Sequence, residues 1–94
     1  MDEKKVLKVI GIYRRGFKKM GIPKKDFPHD QLINTKENML AHCHGMLDEI
    51  EVFVAEGRIE KAFRWLGFIQ GCLWSTGHYT LDELKNHNRP SSAD

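Results

Sequence analysis

From Trp65 to Leu81 the chain reads WLGFIQGCLWSTGHYTL, a run without a single charge in a protein of which 30% is charged. It is too short, and too rich in Gly, Gln, Ser, Thr and His, for a membrane span of about 20 predominantly apolar residues. Begun a turn earlier, at Ile59, it reads as a helix. At 100° per residue one face carries Ile59, Phe63, Leu66, Gln70 and Leu73, and another carries Trp65, Phe68 and Cys72. Trp74 then lies about 180° from Trp65. A helix that is apolar all round has to be covered on more than one side.

The other segments supply part of that cover. Val6, Ile10, Tyr13, Phe17 and Met20 recur at three- and four-residue spacing, and Gly21 with Pro23 closes this first helix. The stretch GIPKKDFPHDQLIN lacks helical periodicity and reads as a loop, with Phe27 and Leu32 tucked onto the core. Asn34 or Thr35 caps a second helix, with Glu37 placed to complete a capping box on Asn34. Its stripe is Met39, Leu40, Cys43, Met46, Leu47, Ile50, Phe53 and Val54. Gly57 leaves only a few residues for reversal, so helices over about 35–56 and 58–76 form an antiparallel hairpin. Thr80 and Glu83 make the capping box of a short last helix from Leu81 to about His87. The expectation is an all-α bundle of three main helices and a short C-terminal one, a single domain over 1–90 with a disordered tail over 91–94.

So few helices have difficulty enclosing one of their own on all sides. A second copy is the expected remedy, with Phe63, Gly67, Phe68, Gly71 and Trp74 at a homo-oligomer interface and the two glycines admitting a neighbouring helix. The alternative is a tightly wrapped monomer in which the tryptophans are core.

Charge is segregated along the chain. Residues 1–25 hold nine Lys or Arg against two acids, and residues 26–57 hold Lys36 against seven acids. One reading lays the basic segment against the acidic one; the other makes Arg14, Arg15, Lys18, Lys19, Lys24 and Lys25 a patch for a phosphate-bearing or acidic partner. Met1-Asp-Glu-Lys-Lys does not open a secretory signal, and the expected location is the cytoplasm. There Cys43 and Cys72 read as reduced core residues with inert thiols.

Enzymatic motifs are missing. His42 and His44 of the HCH triplet point about 200° apart on a helix and cannot chelate one ion together. His44 with Asp48 shares a face but lacks a third ligand in sequence, so no metal or other cofactor is expected. A metal-dependent hydrolase built on His42, His44 and Asp48 is a remote alternative. There is no Gly-rich phosphate loop, no G-x-S-x-G and no recognition helix for sequence-specific DNA binding. What remains is binding. Arg64, Trp65, His78 and Tyr79, with Tyr13, Arg14 and Lys18 of the first helix, combine stacking rings and cations suited to a nucleotide.

The segment EGRIEKAFRWLGFIQGCLWSTGHYTLDELKNHNRP, with the upstream FPHD and MLDEIE, resembles a group of small accessory proteins of tailed bacteriophages and prophages. In that group the RWLGFIQG core, the YTLDEL turn and the HNRP end recur together. The resemblance covers roughly Phe27 to Pro90 and brings no catalytic residues. It implies an anti-defence context in the host cytoplasm: a non-enzymatic oligomeric sponge for a nucleotide immune signal, or alternatively an inhibitor that grips a host defence protein through Asp48, Glu49, Glu51 and Glu56.

Overall fold

In the computed structural model, which describes residues 1–90, the chain is divided by three glycines into its long helices α1 (Glu3–Lys19), α2 (Lys36–Ala55) and α3 (Ile59–Ser75). Gly21, Gly57 and Gly77 all take positive φ, between 72° and 79°. Each closes its helix with the same pair of bonds. Ile22 N–H reaches Phe17 O at 2.9 Å, Arg58 N–H reaches Phe53 O at 2.8 Å and His78 N–H reaches Leu73 O at 2.9 Å, with the glycine N–H on the carbonyl three residues back. This is the Schellman stop, available because glycine has no Cβ to oppose the left-handed conformation. The short α4 (Leu81–Asn88) completes an all-α bundle, with no strand among the described residues. The tail expected over 91–94 lies outside those residues.

The starts of α1, α2 and α4 follow capping chemistry, whereas α3 begins after Arg58 without a side-chain cap. Asp2 accepts from Lys5 N–H at 2.9 Å, and Thr80 and Glu83 form the complete reciprocal box on α4. On α2 the cap is Thr35, which accepts from Asn38 N–H at 3.1 Å. The third residue of that helix is therefore Asn38, and the box expected between Asn34 and Glu37 does not form.

The core is the meeting of three stripes: Val6, Val9, Ile10, Tyr13 and Phe17 from α1; Leu40, Cys43, Met46, Leu47, Ile50, Phe53 and Val54 from α2; Ala62, Leu66, Ile69 and Leu73 from α3. Burial of each large aliphatic or Phe side chain contributes about 1.5–3 kcal/mol. The α2–α3 hairpin is the most extensively packed pair, with α1 laid across both and Leu84 of α4 closing one end. Met20, expected in the α1 stripe, is exposed because the helix ends beneath it.

The main departure from expectation concerns α3. Only one side of it is in the core. Arg64, Gly67, Phe68, Gly71 and Trp74 form an exposed stripe, with Phe68 at 56% and Trp74 at 52% exposure, and a Cβ at either glycine would meet nothing within 4 Å. Trp74 is not a core residue of the chain. Phe63, expected at an interface, packs instead against the chain's own core. All-round apolarity in the sequence therefore translates into a half-buried helix with a bare apolar face.

Residues 22–33 cross α2 as a strap. Ile22 O accepts from His44 Nδ1 at 2.8 Å, and Lys25 N–H donates to Ala41 O at 3.1 Å. The strap passes so close that a Cβ at Gly45 would lie 3.0 Å from Lys25 O. Beyond Pro28 a turn, with Gln31 N–H on Pro28 O at 3.2 Å, lifts the chain away from the bundle. Leu32, expected on the core, is therefore 94% exposed, whereas Phe27 and Ile33 are half-buried.

Candidate functional site

The strap and the exposed side of α3 enclose a cleft of about 450 Å³. Phe27, Pro28, His29, Gln31 and Ile33 come from the strap, His42 and Met46 from α2, and Arg64, Trp65 and Phe68 from α3. Such a volume lies within the usual range for small-molecule sites, roughly 300–1,000 Å³, and the mix of aromatic walls with a few polar groups is typical of them. Trp65 is held in place from behind. Its ring meets Phe53 edge-on at 4.8 Å, and the Lys61 ammonium stands 4.7 Å from the Phe53 centroid and 5.8 Å from that of Trp65. Arg64 is exposed and enters no ion pair among the described residues; the pairing with Glu60 that its i−4 position would permit is not made.

Of the binding residues expected from sequence, Arg64 and Trp65 are brought together here, and the others are not. His78 and Tyr79 lie past the far end of α3: Arg64 and Ser75 are already about 16 Å apart along the helix at 1.5 Å per residue. They border a second, more open depression with Trp74, Leu81 and Glu83. His78 Nδ1 donates to Thr76 Oγ1 at 2.9 Å, since the threonine hydrogen is given to Cys72 O at 2.7 Å. Tyr79 stacks edge-on against His87 at 4.9 Å and lies 5.6 Å from Tyr13.

Tyr13 is buried and cannot touch a ligand in this conformation. Its hydroxyl accepts from Gln70 Nε2 at 3.0 Å and donates to His87 Nδ1 at 2.9 Å, while the Gln70 and Asn88 amides pair reciprocally at 2.7 and 3.0 Å. Burial pushes the Tyr13 phenol up to about 12. The glutamine of GFIQG and the HN of HNRP are thereby accounted for as a polar clasp joining α1, α3 and α4.

The expected cationic patch is partly spent within the fold. Arg14 pairs with Asp48 at 2.9 Å and with Glu51, and Lys24 pairs with Asp48 at 2.9 Å. Burial works to raise the Asp48 carboxyl, but hydrogen bonds from Lys24 and Arg14 outweigh it and hold the group below its ordinary value. Lys18 remains exposed on α1 and is not among the residues lining the cleft.

The proposed metal pairing of His44 with Asp48 fails on burial. His44 is enclosed, with its ring 5.2 Å from Phe17, its Nδ1 used on Ile22 O and its Nε2 sealed without a partner. His42 meets the strap further along, where its Nδ1 lies 3.8 Å from Asp26 Oδ1 and its ring 5.9 Å from that of His29. Of the two thiols, Cys43 is as expected and Cys72 is not. Cys43 is buried and raised, by its contact with Cys72 first and by desolvation. Cys72 is half-buried and drawn down to about 7, because the Cys43 S–H stabilises its thiolate against the cost of burial. Cys72 is therefore not raised by burial as its apolar stripe implied, and its lowering depends on the contact with Cys43.

Phe27, His29 and Met46 escaped the sequence reading as site residues, and His42 entered it only as a metal ligand beside His44 and Asp48. The one visible signal was FPHD, where an aromatic, a histidine and an acid interrupt an otherwise turn-forming loop. Comparison of the chain with protein-family models, curated proteins and solved structures finds no match. The fold and cleft therefore define the chain only at the level of an all-α bundle bearing a small-molecule-sized groove.

Proposed function

We propose that this is a non-enzymatic binding protein that sequesters an anionic, ring-bearing small molecule of the nucleotide class in the cleft between the strap and α3. The observation that carries the reading is the placement of Arg64. A guanidinium with no internal partner stands beside Trp65, Phe68 and Phe27, which offers a phosphate a charge-assisted bond and a base a stacking surface in one groove. The reading extends to an anti-defence sponge of phage origin, in line with the resemblance of the RWLGFIQG and HNRP segments, and to a second copy covering the bare Phe68–Trp74 face.

The alternative is an inhibitor that grips a host protein through an acidic face. It has less to draw on, since Asp48 and Glu51 are bound to Arg14 and Glu56 lies 3.6 Å from Arg58. Titration calorimetry against cyclic dinucleotides and ADP-ribose derivatives, followed also by tryptophan fluorescence, tests the proposal. Arg64→Ala should weaken binding about tenfold to a hundredfold, the scale of one hydrogen bond to a charged group. Binding that ignores Arg64→Ala and Trp65→Ala, or no binding at millimolar ligand, rejects the site.

A further inference from the structure

We propose that Asp26, His29 and His42 form a binding site for one divalent transition-metal ion of the zinc class. The strap supplies Asp26 and His29 in a D-x-x-H spacing, and α2 supplies His42. One ligand atom from each residue lies within 4.8 Å of the other two. A tetrahedral zinc ion with bonds of about 2.0–2.1 Å needs its ligand atoms about 3.4 Å apart. The Asp26 Oδ1 to His42 Nδ1 separation of 3.8 Å is already near that value. Asp26 and His29 are exposed on a loop, so small side-chain rotations close the remainder.

His42 points to a ligand independently of that proximity. Its Nδ1 is buried and has no hydrogen-bond partner, the contact with Asp26 being too long for one. Buried polar atoms are ordinarily satisfied, and a cation shared with Asp26 and His29 satisfies this one. The ring itself is flanked by Phe27 at 6.0 Å and His29 at 5.9 Å, which limits its freedom to turn away. The main chain is fixed just upstream, where Lys25 N–H bonds Ala41 O, one residue before His42.

Two imidazoles and a carboxylate favour zinc, copper or nickel over magnesium or calcium, which prefer all-oxygen sets. Three protein ligands also leave a fourth position for water or an anion. His29 and His42 both line the cleft, so an ion here borders the groove assigned above to an anionic ligand. The metal site rests on its own three residues and stands whether or not a nucleotide binds.

Titration of the whole chain with zinc sulfate by calorimetry, in a buffer that does not bind zinc, tests the site, with cobalt(II) absorption as a second readout. One ion per chain is expected. Asp26→Asn and His29→Gln should each weaken it at least about tenfold, while Asp30→Asn, a neighbouring exposed acid outside the trio, leaves it unchanged. Asp26 and His29 are exposed, so far-UV circular dichroism should show both variants folded. No stoichiometric ion at micromolar protein overturns the proposal, as does an affinity indifferent to both substitutions. Zinc binding without nucleotide binding, or the reverse, separates this inference from the function proposed above.

Discussion

His87 illustrates how one side chain of this fold couples to pH. Tyr13 gives its only hydroxyl hydrogen to His87 Nδ1 while accepting from Gln70, so the ring is held as the tautomer protonated on Nε2. Burial, with a smaller push from Lys5, lowers the His87 pKa below its ordinary 6.5, and Glu83 opposes this only in part. The unfolded chain then takes up a proton near pH 6.5, whereas the folded chain does so only at lower pH. Between those two values the unfolded state binds more protons, so acidification favours it. Stability is expected to fall as pH drops from 7 through 6.5 towards the folded-state pKa, and to level off below it as far as this group is concerned. Urea unfolding of the native chain and of His87→Gln across pH 7 to 5 checks this. The substitution should flatten the slope, and an unchanged slope would assign the effect to another group.

At the level of elements, the bare face of α3 makes an unusual stability prediction. Gly67 and Gly71 are helical, have open space where a Cβ would stand, and take no positive φ. Within one chain, Ala at either position therefore keeps every contact and recovers helix propensity, about 0.8–1 kcal/mol each. Under conditions where the chain is dilute enough to be monomeric, Gly67→Ala and Gly71→Ala should each raise the free energy of unfolding by about that amount. A loss of stability would mean the glycines serve a contact within the chain. These elements were largely legible in the sequence because each rests on local chemistry: apolar spacing for α1 to α3, a T-x-x-E box for α4, and a glycine stop after each long helix. The strap was not legible in the same way. Its path depends on His44 reaching Ile22 O and on the absence of a Cβ at Gly45, contacts across 22 and 20 residues that no local pattern encodes. For the same reason half of the cleft went unread: Arg64 and Trp65 are visible as a pair on one helix, but Phe27 and His29 become their neighbours only through the strap. Tyr13 shows the converse error, since an aromatic hydroxyl suited to a ligand is taken up by Gln70 and His87.

For the whole molecule, the unresolved balance lies between the apolar face it exposes and the solvent. Phe68 and Trp74 project from the same stripe of α3, with Gly71 between them and Gly67 beside Phe68, where backbone is accessible and a second helix can approach closely. Large apolar residues clustered on one helix face, rather than scattered singly, mark association surfaces in soluble proteins. A two-fold pairing of α3 with its copy would place each Trp74 or Phe68 against the partner's glycines, the isologous arrangement that a symmetric dimer requires. It would also extend the cleft wall at Phe68, joining assembly to the binding proposed for Arg64 and Trp65. Light scattering coupled to size exclusion should therefore give a mass that is a multiple of the 10.9 kDa chain. Trp74→Glu is the informative variant, because Trp74 is exposed and lies outside the cleft, so a charge there cannot act by disrupting the core or the ligand groove. The variant should return to the monomer mass with its helical circular dichroism intact. A native chain that is already monomeric at tens of micromolar, or a Trp74→Glu variant that keeps the native mass, removes this face from the assembly and leaves the cleft to bind its ligand within one chain.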